Sequence, residues 1–242
     1  MQPDRQRLYP VFLNLTGLPV VVVGGGVVAA GKLDGLIEAG ARITVVAPAI
    51  SELIRARATA VAGPATDPVA SGPGTAPTIA LVERGFVASD LDGARWVVAA
   101  ATPAVNREVA AAATARGLFV NAVDDVASAT AYLGAVVRRG PALFAISTGG
   151  LAPALAGLIR EALEAVLPHD LERWIDVAVA ARADWKRAGI PMTERRPLLL
   201  RALDRVYNAA ASSASSSGPG PGPGPGPGPG STSASLVPGA SS

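Results

Sequence analysis

Residues 20–32 read VVVVGGGVVAAGK, and this stretch decides the fold. Its valines predict a strand buried on both faces, its three glycines predict a tight turn, and the residues after them start a helix. Gly24, Gly26 and Ala29 fit the pattern G-x-G-x-x-A. In that pattern the first glycine permits the turn, the second lets the backbone approach a pyrophosphate, and the small third residue lets helix and strand pack closely.

The same turn predicts a dinucleotide site. The N–H groups in the first turn of a helix have no partner within the helix, so they can face the phosphates of a ligand. The residues expected to bind the cofactor here are Gly24, Gly25, Gly26, Val27 and Val28. A strand–helix turn that binds no ligand is the alternative interpretation.

The second predicted strand, residues 41–48, ends without the acid that usually binds the ribose hydroxyls of NAD. Pro48 and Ala49 stand there instead, and the next charged side chains are Glu52 and Arg55. We therefore expect the backbone at Pro48 and Ala49 to contact the ribose. NAD and NADP are not distinguished by these residues.

Strands and helices alternate through the first half of the chain. The predicted strands are residues 18–23, 41–48, 78–83 and 117–123, and residues 90–102 predict a turn followed by one more strand, the fourth in chain order. The predicted helices are residues 27–39, 50–60 and 104–116, and residues 61–77 are rich in Gly and Pro, which is typical of a surface loop. Alternation of this kind predicts an α/β fold with a Rossmann-type parallel sheet.

The pattern changes after residue 125. Residues 129–150 predict two strands around a turn at residues 139–141, and helices are expected at 152–167, 170–188 and 193–209. The Gly/Pro/Ser repeat that follows has no core-forming content and predicts a disordered tail. The expected organisation is a Rossmann domain at 1–126, a dimerisation region at 127–152, a helical substrate domain at 153–210 and the tail at 211–242.

Composition narrows the function classes. The 242 residues carry a formal net charge of +2 and are 4% aromatic, so no surface for nucleic acid is predicted. With no cysteine and one histidine, His169, no protein-held metal is predicted. No run reaches the ~18–20 apolar residues that cross a bilayer, and no signal-peptide core begins the chain. We therefore expect a soluble, cytoplasmic protein.

Several motifs together point to a family. The sequence contains, in order, YPVFLNLTGLPVVVVGGGVVAAGK (9–32), ARITVVAP (41–48), DLDGARWVVAAAT (90–102), FVNAVDD (119–125) and ISTGGLAPALAGLIREALEAVLP (146–168). Through these motifs the chain resembles the precorrin-2 dehydrogenase / sirohydrochlorin ferrochelatase family, which forms the dehydrogenase half of sirohaem synthase. The resemblance covers residues 8–207.

The resemblance implies NAD-dependent oxidation of precorrin-2 to sirohydrochlorin, and for many members also insertion of Fe²⁺ as a substrate. It implies a homodimer, with a helical domain closing over the tetrapyrrole. Many members carry a methyltransferase domain behind this module. Because only the tail follows residue 211, we expect a separate uroporphyrinogen methyltransferase. An NAD(H)-binding regulatory module without catalysis is the alternative.

Asp124 matches the acid of the family's N-x-V-D motif and is the expected catalytic residue. The fifth strand ends there, and ligands of open α/β sheets bind at the carboxyl ends of strands. A carboxylate at that point can accept the proton that dehydrogenation releases. Two alternatives stay open: Asp124 caps the next segment, or Asp125 is the functional acid.

Other polar residues take expected roles from the family position. Thr102 is expected on the nicotinamide side, with a helix cap before Pro103 as the alternative, and Asn121 is either a ligand contact or a turn former. The expected substrate-binding residues are Asn121, Ser147, Thr148 and Gly149. Residues 182–205 carry a net charge of +4, which suits a substrate rich in carboxylates or a solvated helix face.

The chain departs from the family pattern at several positions. Gly31 stands where the family usually has Arg, and Pro103 stands where acids are common. After the catalytic acid the family commonly shows Ser-Phe, where this chain has Thr130 and Ala131. The first two changes affect cofactor contacts. The third affects the substrate entrance, so the sequence supports iron insertion less firmly than dehydrogenation.

Overall fold

The computed structural model describes residues 7–62, 76–123 and 125–215. The chain divides after Pro168 into two compact units, which are described separately. The predicted domain boundaries after residues 126 and 152 stay predictions. Asp124 and most of the predicted loop at 61–77 lie outside the described residues.

A five-stranded parallel sheet forms the centre of the first unit, in the order β3-β2-β1-β4-β5. Its strands are β1 (Pro19–Val23), β2 (Arg42–Val46), β3 (Thr78–Val82), β4 (Trp96–Ala99) and β5 (Val120–Ala122). The connecting helices are α1 (Val27–Glu38), α2 (Glu52–Ala62) and α3 (Pro103–Ala115), and a short 3₁₀ turn spans Ala88–Leu91. The predicted Rossmann-type α/β fold is therefore confirmed.

The central strand β1 is buried on both faces, as its valines predict. Val20 and Val22 pack into a cluster that contains Leu33 of α1. Val21 and Val23 point the other way, into a cluster that contains Val109 of α3. Because successive side chains of a strand face opposite sides, an unbroken apolar run is what a strand covered by helices on both faces requires.

Helix α1 buries one face and exposes its start. Ala29, Leu33 and Leu36 are buried, whereas Val28 is 50% exposed. Val28 lies in the first turn of α1. Its exposure leaves the start of the helix open to solvent at the glycine turn.

A two-stranded antiparallel sheet follows the parallel one. Strands β6 (Ala135–Arg139) and β7 (Ala142–Ile146) pair with Val137 opposite Phe144. Helix α4 (Pro153–Val166) packs on this hairpin, and a guanidinium nitrogen of Arg139 donates to the Glu164 carbonyl at 2.7 Å. The predicted pair of strands and the helix after it are present.

The described residues of the second unit form two helices, α5 (Leu171–Arg187) and α6 (Met192–Ser215). They pack together, with Trp174 and Tyr207 edge to face at a ring distance of 5.7 Å. Helix α6 continues past the predicted start of the tail at residue 211, because the alanines at 209–211 are strong helix formers. Within the described segments, no helix is long and apolar enough to cross a membrane.

Candidate dinucleotide site and the adjoining cleft

The glycine turn after β1 lies in close contact with the residues that follow β2 and β4, the two neighbouring strands. Gly24 has φ +134°, and a Cβ there would lie 2.2 Å from the Ala100 carbonyl oxygen, just past β4. A Cβ at Gly25 would lie 1.8 Å from the carbonyl oxygen of Ala49, just past β2. These two positions therefore accept only glycine, for reasons internal to the protein.

Gly26 is different, because a Cβ there would meet no atom within 4 Å. It is the N-cap of α1, where no side chain caps the helix and no acid lies in the first turn. The first hydrogen bond of the helix runs from the Ala30 N–H to the Gly26 carbonyl at 3.0 Å. The turn thus offers open space and helix N–H groups at one point, which suits a phosphate. The residues present fit the pyrophosphate of a dinucleotide.

The turn after β2 lies directly beside the glycine turn. The Ser51 N–H donates to the Gly25 carbonyl at 2.9 Å, and Pro48 and Ala49 are exposed. The structure therefore brings the expected ribose contacts next to the expected phosphate contacts, and both sets of contacts stay predictions.

The charged groups near this turn are paired with one another. A guanidinium nitrogen of Arg55 lies 2.8 Å from a carboxylate oxygen of Glu83 and another lies 3.8 Å from Glu52. Two carboxylates thus surround one guanidinium at the end of β2 and β3. The local charge is negative.

Thr102 is the N-cap residue of α3, followed by Pro103 in the first turn. Its backbone carbonyl accepts the Asn106 N–H at 2.8 Å, whereas its side chain makes no capping hydrogen bond. Thr102 is exposed. The predicted helix boundary is therefore present, and the hydroxyl of Thr102 is not used to cap the helix.

Asn106 is a site residue that the sequence analysis missed. It is 3% exposed, and its Oδ1 accepts the Ala101 N–H at 2.9 Å while its Nδ2 donates to the Val123 carbonyl at 3.4 Å. One signal was available in the sequence. Asn106 shares the buried stripe of α3 with Val109, Ala110 and Ala113, and an amide in such a stripe requires polar partners.

A cleft of about 350 Å³ opens at the ends of β4 and β5. It is lined by Ala101, Pro103, Asn106, Arg107, Val123 and Asp125. The predicted catalytic residue, Asp124, lies outside the described residues, but both of its chain neighbours line this cleft.

Asp125 is engaged in a local turn. Its Oδ1 accepts the Ser128 N–H at 3.1 Å. Hydrogen bonds from the Ser128 hydroxyl and from backbone N–H groups, with the positive charge of Arg107, hold the pKa of Asp125 below its ordinary value. A carboxylate held in its ionised form by several donors is a weaker proton acceptor than a free one.

Asn121 lies in β5 and is 7% exposed. Its Nδ2 donates to the Ala131 carbonyl at 3.0 Å, and its buried Oδ1 has no partner within the described residues. The neighbouring Thr130 hydroxyl accepts the Val120 N–H at 2.9 Å. Asn121 therefore anchors the segment that runs beside β5, and its predicted contact with substrate stays a prediction.

The turn at residues 147–150 uses both of its hydroxyls locally. The Ser147 Oγ accepts the Gly149 N–H at 3.1 Å, and the Thr148 Oγ1 accepts the Ala152 N–H at 3.3 Å. A Cβ at Gly150 would lie 3.2 Å from a methyl group of Val126. The structure thus brings this turn beside the loop that follows β5, and its predicted substrate contacts stay predictions.

The chain is similar in sequence to curated siroheme synthases. Siroheme synthase 1 of Aeromonas salmonicida (strain A449) is 38% identical over 206 residues, which are 84% of this chain and 40% of that protein. Siroheme synthase of Pseudomonas entomophila (strain L48) is 41% identical over 188 residues, covering 77% of this chain and 37% of the relative. The chain therefore spans about two fifths of the length of these curated relatives.

A solved structure gives the same result for the fold. The chain matches "SirC, precorrin-2 dehydrogenase" with a TM-score of 0.59 and 26% sequence identity, over 80% of this chain and 88% of that one. The resemblance identified from the sequence motifs is thereby confirmed. The family described as "Putative NAD(P)-binding" matches residues 11–135, which include the glycine turn, the turn after β2 and the cleft. The chain belongs to this NAD(P)-binding family.

Proposed function

We propose that this chain oxidises precorrin-2 to sirohydrochlorin with NAD⁺ as hydride acceptor. One observation carries the proposal: the cleft bordered by both neighbours of Asp124 lies at the same sheet edge as the glycine turn. In a parallel sheet the carboxyl ends of all strands share one edge, so cofactor and substrate can meet there. The siroheme synthases and the precorrin-2 dehydrogenase to which the chain is similar support the same substrate.

The reaction removes one hydride and one proton from precorrin-2. Bound NAD⁺ would supply the acceptor for the hydride. The carboxylate of Asp124 takes the proton and passes it to solvent. Asp125 is less suited to this role, since its carboxylate already accepts hydrogen bonds that favour its ionised form.

NAD rather than NADP is the cofactor in this proposal. A 2′-phosphate at the end of β2 would need a free cation, and Arg55 is the nearest one after that strand. Arg55 is already paired with Glu83 at 2.8 Å and faces Glu52 at 3.8 Å. The two carboxylates would repel a phosphate, whereas the uncharged ribose of NAD meets no such penalty.

The substrate carries acetate and propionate carboxylates, which require donors and cations. The backbone at Ser147 and Thr148 can supply N–H donors beside the loop after β5, whereas the Gly149 N–H already donates to the Ser147 Oγ at 3.1 Å. In the second unit, the cationic side chains are mostly exposed: Arg182, Lys186, Arg187, Arg196, Arg201 and Arg205. This surplus of positive charge suits a polyanionic substrate.

Two further parts of the proposal concern iron and assembly. Fe²⁺ insertion would use the same proton acceptor, because the pyrrole nitrogens must lose protons before they bind a metal.

We also propose a homodimer, since Val136 and Leu143 of the hairpin and Leu155 and Leu158 of α4 are exposed apolar side chains. The cytoplasmic location and the separate methyltransferase stay predictions.

Anaerobic incubation with precorrin-2 and NAD⁺, followed by absorbance spectra, tests the proposal. The expected result is NADH in equal amount to sirohydrochlorin, with no turnover when NAD⁺ is omitted. Repeating the incubation with Fe²⁺ separates two cases: sirohaem indicates chelatase activity, and accumulated sirohydrochlorin indicates a dehydrogenase alone. A chain that binds NAD⁺ but neither binds nor oxidises precorrin-2 would instead be a regulatory module.

A further inference from the structure

The hydrogen-bond ladder between β4 and β5 stops one step before the chain reaches Asp124. Ala99 lies opposite Ala122, and the Val123 N–H still donates to the Ala99 carbonyl at 2.9 Å. In a regular parallel ladder the next bond would run from the Ala101 N–H to the Val123 carbonyl. In this structure the Ala101 N–H and the Val123 carbonyl instead form hydrogen bonds with a side chain.

The carboxamide of Asn106 stands between these two backbone groups. Its Oδ1 accepts the Ala101 N–H at 2.9 Å, and its Nδ2 donates to the Val123 carbonyl at 3.4 Å. A carboxamide carries the same donor and acceptor as a peptide group, so it completes the ladder while keeping the two strands one side chain further apart. The cleft opens where the strands separate, and Asn106 lines it.

We propose that Asn106 is a positioning residue: its carboxamide holds the ends of β4 and β5 apart and fixes the Val123 carbonyl, and so holds the edge of the cleft in which the proposed reaction takes place. The final step of this inference rests on the proposed function. Although Asn106 lines the cleft, it is only 3% exposed, so little water reaches its side chain to replace its hydrogen bonds.

Two substitutions separate positioning from a simple packing role. Asn106→Leu keeps the number and branching of the side-chain heavy atoms and removes both hydrogen bonds. Asn106→Asp keeps the acceptor for the Ala101 N–H, but when ionised it sets a carboxylate against the Val123 carbonyl. When protonated, the introduced carboxyl regains a donor, and burial next to an acceptor favours that protonated form.

The first measurement is amide hydrogen exchange at Ala101, which does not depend on activity. We expect Asn106→Leu to speed this exchange roughly tenfold, because the amide loses its acceptor, whereas Asn106→Asp leaves it nearly unchanged. The control is Asn14→Ala, which removes an exposed amide that accepts the Thr16 N–H at 3.2 Å. Unchanged exchange at Ala101 in Asn106→Leu would overturn the assigned hydrogen bond.

The second measurement is the pH profile of turnover. We expect Asn106→Asp to lower kcat about 100-fold at pH ~8, with KM for NAD⁺ little changed, and to recover relative to wild type toward pH ~6. A deficit that does not vary with pH, or that follows the melting temperature across the variants, would contradict positioning. If wild-type protein does not oxidise precorrin-2, the proposed function fails, and the exchange at Ala101 still decides the geometry of Asn106.

Discussion

Gly25 passes so close to Ala49 that a Cβ on Gly25 would lie 1.8 Å from the Ala49 carbonyl oxygen. The next residue, Gly26, has open space at the same point. Adjacent glycines in one motif therefore serve different purposes. Gly25 allows the turn after β1 to contact the turn after β2, and Gly26 leaves room for a ligand. Substitutions at the two positions should therefore affect different properties, namely protein stability at Gly25 and cofactor affinity at Gly26.

Gly26→Ala is expected to fold and to bind NAD⁺ poorly. The φ of Gly26 is −92°, which alanine adopts without strain, so the melting temperature should change by no more than a few degrees. The added methyl group would occupy the space expected for the pyrophosphate. We predict that the Kd for NAD⁺, measured by calorimetry, rises at least tenfold, or about 1.4 kcal/mol.

Gly25→Ala is the matched comparison and should lose folded protein instead, because its methyl group meets backbone. If Gly26→Ala bound NAD⁺ with unchanged affinity, the assignment of the phosphates to this turn would be wrong.

The pairing of Arg55 with Glu83 predicts a change in cofactor preference. Glu83→Gln removes one of the two carboxylates around Arg55 and frees the guanidinium for a 2′-phosphate. Because exposed ion pairs are weak, we expect a modest gain of about fivefold in NADP⁺ affinity, with NAD⁺ affinity nearly unchanged. Calorimetric titration of both cofactors measures the ratio.

Glu38→Gln is the control for this variant, since Glu38 also pairs with an arginine, Arg138, at 3.0 Å, but on the last turn of α1. Equal changes in NAD⁺ and NADP⁺ affinity in Glu83→Gln would show that Glu83 does not set the preference.

Asp90 predicts a pH-dependent contribution to stability. Its carboxylate accepts a guanidinium hydrogen bond from Arg84 at 2.9 Å and the Val87 N–H at 2.9 Å. The Arg84 hydrogen bond is the main cause that lowers the pKa of Asp90 below 3.8. A carboxyl whose pKa is lower in the folded state stabilises the fold above the unfolded value and loses that contribution as the pH falls through the folded value.

We therefore expect Asp90→Asn to lower the melting temperature by roughly 2–4 °C at neutral pH. The difference from wild type should shrink as the pH falls below 3.8, because the native carboxyl is then protonated too. Asp92→Asn, which affects a more exposed pair with Arg116, should have a smaller effect. A difference for Asp90→Asn that grows toward acid pH would reverse the assigned sign.

The sheet and the glycine turn could be predicted from the sequence because local patterns determine them. A strand that is buried on both sides requires a continuous run of apolar residues, which β1 supplies with its valines. A backbone position with a positive φ favours glycine, which stands at position 24. Both requirements can therefore be recognised in a few consecutive residues. Asn106 could not be placed in the same way. Its partners, Ala101 and Val123, lie five and seventeen positions away and come together only when β4 and β5 pair.

The different roles of Asp124 and Asp125 also could not be predicted from the neighbouring residues in the sequence. Asp124 and Asp125 are neighbours of the same type, and the sequence offers no physical reason to choose between them. The structure shows a role for one of the two acids: the Asp125 carboxylate accepts the Ser128 N–H and closes a turn. That use of Asp125 supports Asp124 as the proton acceptor in the proposed reaction.

The rate of NADH formation from precorrin-2 and NAD⁺, measured anaerobically for wild type, Asp124→Ala and Asp125→Asn, tests the central claim most directly. Wild type should form NADH and sirohydrochlorin in equal amounts. Asp124→Ala should be at least 100-fold slower, as expected for loss of a general base, and Asp125→Asn should lose roughly tenfold at most. Full turnover in Asp124→Ala, or no NADH from the wild-type chain, would contradict the account.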